Sequence, residues 1–214
     1  LLVQKKLVLM QCNTNYTNSN EISKNEIRDA IRIQKTADKC KDGDSIHPLM
    51  LKHLPSVGID YLCKLYNLIL ENGEWVWTDA IVTFIRKTGK PSYLSTGAYR
   101  PLSISSYIGK ILERILDKRL RTFCKLNDVI ADAQEGFLPH KNTTRYLYKM
   151  LAKLNEAKRR KLTAFILLID FEKAFDSVDI ACLMKKLAAF GIKGKVLKLL
   201  YSFLSCRNVK LRIN

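Results

Sequence analysis

The sequence predicts an α+β fold, in which helices and strands are mixed without regular alternation. One observation behind this is the long segment 106–126, whose apolar residues recur at helical spacing. Another is the presence of short apolar or alternating runs at 80–86, 164–170 and 207–213, which are typical of strands. In a doubly wound parallel sheet, strands and helices alternate regularly along the chain. The predicted helices and strands of this sequence do not alternate in that way, so a doubly wound sheet is not expected.

The N-terminal third is predicted to be mostly helical. Residues 11–20 are polar and turn-rich, and we expect residues 1–20 to form a poorly ordered lead-in. A helix is predicted from Ser23, a candidate N-cap with Glu26 three residues later. Further helices are predicted over about 48–54 and 60–72 from the spacing of their apolar residues.

The middle of the chain is predicted to hold one strand and the clearest helix. The run AIVTFIR at 80–86 is strand-like, and the Gly-, Pro- and Ser-punctuated run 89–101 is expected to be a long loop. The helix 106–126 has an apolar stripe opposite a basic face. That face is formed by Lys110, Arg114, Lys118 and Arg121. Arg119 falls inside the apolar stripe, so we expect it to snorkel or to pair with a carboxylate.

The C-terminal third is predicted to begin with a helix that ends in the run KRRK at 158–161. A fully buried strand is then expected at 164–170, because six apolar residues stand in a row before Asp170. A helix from about 179 to 190 should be stopped by Gly191. Another helix over 193–205 and a strand over 207–213 complete the predicted elements.

Charge is the most informative bulk property. The 214 residues include 37 Lys and Arg against 20 Asp and Glu, so the net charge is +17. Such an excess implies a polyanionic partner, either nucleic acid or an anionic membrane. No apolar run approaches the length that crosses a bilayer, and LLVQKKLVLM is too short and too charged for a signal peptide. Nucleic acid is therefore the favoured partner, and no membrane partner is expected.

The cysteines do not form a metal-binding pattern. No pair is spaced as CxxC, and the three histidines do not complete a cluster, so no zinc is expected. We expect a reduced intracellular protein of the nucleus or the cytoplasm. The chain begins without Met and ends inside a strand-like pattern, which favours a fragment.

Asp170 is the main candidate for chemistry. A carboxylate at the rim of a buried strand is well placed to bind Mg²⁺, which prefers hard oxygen ligands and takes few protein carboxylates. The alternative is that such an Asp is only a turn or cap residue. Asp176 and Asp179 are expected to cap the following helix rather than to bind metal.

Four motifs in order carry a family resemblance. They are GDSIHPLMLKHL (43–54), AYRPLSISSYIGKILER (98–114), QEGFLPHKNTT (134–144) and IDFEKAFDSVD (169–179). Together they resemble the reverse transcriptases of non-LTR (LINE-type) retrotransposons, from about residue 21 to the C-terminus. Group II intron maturases share some of these motifs and remain an alternative.

The resemblance implies a right-hand polymerase fold, with fingers over about 21–162 and the start of the palm over 163–214. The palm sheet would be incomplete, and no thumb would be present. The activity implied is RNA-directed DNA synthesis by two Mg²⁺ ions. The implied partners are an RNA template, a DNA primer and dNTPs, and the oligomeric state stays open.

The same resemblance assigns roles to particular residues. Asp170 and the carbonyl of Phe171 would bind metal, and the ring of Phe175 would exclude a ribose 2′-hydroxyl. Arg100 and Lys87 would hold the triphosphate. The residues bordering nucleotide and template would be Gln134, Gly136 and Phe137. The nucleic-acid contacts would be Lys110, Arg114, Lys118, Arg121 and Lys141. Without the family, Phe175 would be interpreted as core, and Arg100 and Lys87 as solvated charges.

Departures from the family pattern limit the expected activity. No Asp-Asp pair occurs in the chain, and one carboxylate cannot hold two Mg²⁺ ions. Leu138 stands where the family usually has Arg, and His140 where it often has Gly. We therefore expect no primer extension by this chain alone. One alternative is a non-enzymatic protein that binds nucleic acid. Another is a phosphatase-like hydrolase that uses Asp170 as its nucleophile. Such hydrolases usually have a second Asp two positions later, where this chain has Glu172.

Overall fold

The computed structural model describes residues 21–34, 46–172, 174–205 and 207–212. Within these ranges the chain mixes α-helices with one small sheet, which confirms the α+β class. The helices are α1 (Lys24–Arg32), α2 (Pro48–Lys52), α3 (Ser56–Asn72), α4 (Tyr107–Leu126), α5 (Thr143–Arg159), α6 (Ile180–Phe190) and α7 (Gly194–Ser205). The strands are β1 (Asp79–Arg86), β2 (Tyr99–Ile104) and β3 (Asn208–Leu211). The predicted lead-in at 1–20 lies outside the described residues.

The sheet has the strand order β2-β1-β3. Strand β1 pairs with β2 in antiparallel fashion, with Ile85 opposite Arg100, and with β3 in parallel fashion. Strands β1 and β3 were predicted, but the assignment of the whole run 89–101 to a loop was wrong at its end. Strand β2 escaped prediction because it is an edge strand with mostly exposed side chains and a proline, so it shows no apolar alternation.

The chain divides into two compact units. The first contains the described residues up to Phe123 and from Asp179 onward, and the second runs from Cys124 to Val178. The core of the first unit surrounds Tyr66, which is fully buried and donates a hydrogen bond from its hydroxyl to the carbonyl of Ile108, at 2.8 Å. Other members of this core include Ile27, Ile59, Trp75, Ile111, Leu112 and Leu199.

Helix α1 is fixed to α4 by an ion pair. Ser23 and Glu26 form the predicted capping box at the start of α1. The guanidinium of Arg119 donates to both carboxylate oxygens of Glu26, at 2.8 and 2.9 Å, so the predicted pairing of Arg119 is confirmed. Burial alone would raise the pKa of Glu26, but the bonds from Arg119 and Ser23 outweigh it and lower the pKa to about 2.

We expect Arg119→Met to destabilise the protein by about 1–3 kcal/mol, less than a fully buried pair because both side chains are about a quarter exposed. The stability that ionised Glu26 contributes to the folded state is fully present above pH 4.5, the ordinary pKa of this carboxyl. It is lost as the pH falls toward 2. Urea unfolding at pH 7 and pH 3 measures both effects. The control Arg121→Met breaks an exposed pair with Asp117 and should cost little. Equal losses of unfolding free energy in the two variants would show that the pair between Arg119 and Glu26 contributes no more than an exposed pair.

The second unit contains α5 and connecting segments, and it departs most from the sequence prediction. The predicted buried strand at 164–170 is wrong. The segment is not paired in the sheet, and its apolar side chains are exposed, with Phe165 at 94% and Leu167 at 83%. An apolar run becomes a buried strand only where neighbouring strands accept its hydrogen bonds. The described sheet offers none to this segment.

The end of the chain follows the prediction closely. Asp179 caps α6, because its carboxylate accepts a hydrogen bond from the backbone N–H of Cys182 at 2.7 Å. The same bond lowers the pKa of Asp179. Asp176 does not share this role, since it lies three residues before the cap. Gly191 ends α6 with a φ of 104°, as its position predicts.

No helix in the described ranges is long and apolar enough to span a bilayer.

Candidate nucleotide-binding site

Asp170 lies in the second unit at the end of the exposed apolar segment 164–169. Its carboxylate is exposed, and no hydrogen bond or ion pair to it is present among the described residues. Both oxygens are therefore available to a ligand. The described residues contain no group of three or more His, Cys, Asp or Glu side chains that could hold a metal ion. A single carboxylate suits one Mg²⁺ that completes its shell with water and phosphate, but it does not suit a two-ion site. The ligand roles assigned to Asp170 and to the carbonyl of Phe171 stay predictions.

Two of the predicted nucleotide-binding residues, Phe137 and Phe175, are in contact. Their ring centroids are 6.3 Å apart and the rings are perpendicular, which is the edge-to-face arrangement that aromatic pairs prefer. Both residues are about four-fifths exposed. The interpretation of Phe175 as a core residue is therefore wrong for this structure, and the ring is open to a ligand.

The loop that carries Phe137 is closed by Lys141. The ammonium group of Lys141 donates to the carbonyls of Asp132 and Gln134, each at 2.9 Å. The side-chain amide of Gln134 donates to the carbonyl of Gly136 at 3.2 Å. Gln134, Gly136 and Lys141 thus stabilise their own loop in this structure, and the roles assigned to them on a nucleotide or template stay predictions.

Glu135 is a residue that the sequence analysis missed. It is the buried acid of the second unit, and it forms ion pairs with Lys149 and Arg145 on α5. The hydrogen bond from Lys149, with the charges of both cations, holds the pKa of Glu135 below its usual range. A signal was available, because Arg145 and Lys149 are four residues apart and so share one face of a predicted helix.

Two residues of this loop have left-handed backbone. Phe137 and His140 both have a φ of 60°, where a side chain crowds the following carbonyl. His140 is the position at which the resembled family often has Gly. The left-handed conformation gives that preference a physical reason, since glycine adopts it without steric cost.

The predicted triphosphate contacts, Arg100 and Lys87, lie in the first unit, Arg100 on strand β2 and Lys87 directly after strand β1. Arg100 is exposed on the edge strand β2, and its guanidinium has no partner among the described residues. Lys87 follows β1, and its ammonium group donates to the carbonyl of Gly97 at 2.9 Å. Arg100 is therefore the cation of the two that is available without breaking an existing bond.

The basic face of α4 is partly occupied by contacts within the chain. Arg114 donates to the carbonyl of Ala30 at 3.3 Å and to the side chain of Gln34, and burial lowers its pKa. Lys118 pairs with Asp29 at 3.7 Å, and Arg121 pairs with Asp117 at 2.7 Å. Lys110 lies over the ring of Tyr107, 4.5 Å from its centroid. Their assignment as nucleic-acid contacts stays a prediction.

The sequence is similar to known proteins over more than half of its length. Residues 85–213 match the family model described as reverse transcriptase (RNA-dependent DNA polymerase). The chain is similar to the RNA-directed DNA polymerase from mobile element jockey of Drosophila melanogaster, at 30% identity over 142 residues. That match covers 65% of this chain and 15% of the relative. A probable RNA-directed DNA polymerase from transposon BS of the same species is 31% identical over 137 residues, covering 63% and 15%. Its counterpart from transposon X-element is 28% identical over 148 residues, covering 68% and 16%.

Proposed function

Because the chain belongs to the reverse transcriptase (RNA-dependent DNA polymerase) family, we propose that it is part of an enzyme that copies RNA into DNA. The relatives confirm the resemblance to non-LTR mobile elements. The chain spans about 15% of the length of the relatives first matched, so the activity of a whole protein is a proposal for this chain. The observation that carries the proposal is the family match over 85–213, which includes the exposed Asp170.

The architecture proposed for this function is a polymerase hand, with fingers over about 21–162 and palm from about 163. The proposed substrates are dNTPs, an RNA template and a DNA primer. A Mg²⁺ ion held at this site would supply positive charge that offsets the charge of the triphosphate. Asp170 would hold the ion through its carboxylate, with the carbonyl of Phe171 as a neighbouring ligand.

Other side chains of the protein would bind the phosphates, the sugar and the base of the nucleotide. The guanidinium of Arg100 is a planar donor suited to bidentate bonds with phosphate oxygens, and Lys87 adds a second positive charge. The ring of Phe175 would lie against the sugar and leave no space for a 2′-hydroxyl. Gln134, Gly136 and Phe137 would border the base and the template.

The basic residues of α4 are proposed to contact the nucleic-acid backbone. Lys118 and Arg121 would exchange exposed ion pairs for phosphates, which costs little because exposed pairs contribute little stability. Lys110 would add charge, and Lys141, in the loop before α5, would do so on leaving its bonds to the carbonyls of Asp132 and Gln134. Arg114 would have to leave its bonds to Ala30 and Gln34, and it is also half-buried. We therefore expect Arg114 to contribute least among the five.

The proposed function predicts that the chain binds dATP and that Arg100→Met weakens this binding by about tenfold or more, because a charge-assisted bidentate contact is lost. Equilibrium titration in Mg²⁺ and in EDTA measures both points. Arg28→Met is the matched control, since Arg28 is also an exposed arginine of the first unit. The same loss in both variants would show that only net charge matters.

A second function, non-enzymatic binding of nucleic acid, is favoured by the net charge of +17. It predicts RNA affinity that falls by orders of magnitude, about 10³-fold or more, between 50 and 200 mM salt if at least six phosphates are contacted. Filter binding across this salt range gives the slope. Salt-dependent RNA binding without any Mg²⁺-dependent binding of dATP would favour this second function over the first.

A further inference from the structure

Phe137 combines an exposed aromatic ring with a backbone conformation that is unfavourable for it. Its φ of 60° lies in the left-handed region, and the residue is 81% exposed. Neither feature is favourable for the loop on its own. Residues of this kind persist where their surroundings determine the backbone, and they are concentrated at functional sites.

The surroundings of Phe137 fix its backbone from both sides. Before it, Glu135 is buried and bound to Lys149 and Arg145 of α5. After it, Lys141 returns to bond the carbonyls of Asp132 and Gln134. The loop is thus attached to the helix at one end and closed on itself at the other.

The consequence of this fixed backbone is the direction of the Phe137 ring. It meets the ring of Phe175 at 90°, with 6.3 Å between the centroids. Phe175 is itself 82% exposed and lies in the irregular segment between Asp170 and α6. An exposed phenylalanine in such a segment has several accessible rotamers, and an edge-to-face contact favours one of them.

Resting on the proposed role of Phe175 at the sugar, we propose that Phe137 is a positioning residue that holds the Phe175 ring and thereby sharpens selection of deoxyribose over ribose. A ring that changes rotamer leaves room for a 2′-hydroxyl for part of the time. A ring held by its neighbour excludes it continuously. Besides bordering the nucleotide, Phe137 would act on sugar selection through Phe175.

The test compares dATP and ATP affinity in Mg²⁺ for the wild-type chain, Phe137→Leu and Phe175→Ala. Leucine keeps a β-carbon and hence the same backbone cost at φ 60°, so the substitution isolates the ring. We expect Phe137→Leu to lower the ATP-to-dATP ratio of Kd values about threefold to tenfold, the range of one aromatic pair. Because Phe137 is also proposed to border the nucleotide, a lower affinity for dATP does not by itself decide the question, so the ratio of the two Kd values is the readout. The control Phe165→Leu removes another exposed ring of the same unit and should change neither value.

A second readout follows the ring contact directly. With 4-fluorophenylalanine at position 175, Phe137→Leu should shift or broaden the fluorine resonance, whereas Phe165→Leu should leave it unchanged. The double variant Phe137→Leu/Phe175→Ala should discriminate no worse than Phe175→Ala, because the first residue acts through the second.

The outcomes separate this proposal from the proposed function. If Phe175→Ala abolishes discrimination and Phe137→Leu leaves it intact, the positioning role is overturned and the sugar gate stands. If wild-type protein binds dATP and ATP equally, the gate itself is absent, and the positioning role falls with it. A lower ratio together with a changed fluorine signal supports the proposal.

Discussion

Replacing Asp170 with Asn is expected to reduce dATP binding in Mg²⁺ to the level that wild-type protein shows in EDTA. Asn keeps the size and one oxygen of the side chain but removes its charge, and Mg²⁺ is bound mainly through carboxylates and phosphates. Because Asp170 is exposed and has no described partner, the substitution should leave the unfolding temperature within about 1 °C of wild type. A loss of binding is then a loss of the metal ligand and not of the fold.

The matched control for Asp170→Asn is Asp176→Asn. Asp176 is also exposed, lies in the same unit and does not cap α6. The Asp176→Asn variant should still bind dATP more tightly in Mg²⁺ than in EDTA. If Asp170→Asn keeps that difference, Asp170 is not the metal ligand, and the proposed chemistry has no carboxylate to begin from. Mg²⁺ titration at fixed dATP locates the effect on the ion rather than on the nucleotide.

Helix prediction succeeded in this chain because the signals are local. The apolar stripe of α4 and the capping box of Ser23 with Glu26 depend on residues three or four positions apart. Even the pairing of Arg119 could be anticipated, since a cation inside an apolar stripe requires a partner or a path to water. The sequence could not identify that partner as Glu26, which is 93 positions away.

Strand prediction succeeded only where the strand also had a neighbour. The run 164–169 is more apolar than β1, yet β1 lies in the centre of the sheet and the run lies outside it. Strand β2 shows the opposite case, because its few apolar residues suffice when β1 accepts its hydrogen bonds. Pairing is a long-range property, and composition alone does not report it.

The candidate site follows the same division between local and long-range information. The motifs predicted that Phe137 and Phe175 serve one site, but their contact joins positions 38 apart and depends on a left-handed backbone. Glu135 was missed because an acid in a polar loop is normally solvated. Its burial becomes intelligible only when α5 places Arg145 and Lys149 beside it.

The largest loss of stability is expected from Tyr66→Ala, which should cost about 3–5 kcal/mol. Tyr66 is completely buried among the helices of the first unit, and its ring meets the edge of Trp77 at 6.2 Å between centroids. The substitution removes the ring, leaves a cavity and deletes the hydrogen bond to Ile108. Tyr66→Phe keeps the ring and should cost about 1 kcal/mol for that bond.

The control Tyr61→Ala makes this prediction sharp, because Tyr61 lies on the same helix and is 68% exposed. It should change the free energy of unfolding by less than about 0.5 kcal/mol. Burial also raises the pKa of the Tyr66 hydroxyl above its ordinary value of 10.0, so the folded state loses stability as the pH rises above 10. Tyr66→Phe should remove part of that alkaline loss, and Tyr61→Ala should not. If the two alanine variants unfold at the same urea concentration, the core is not organised around Tyr66.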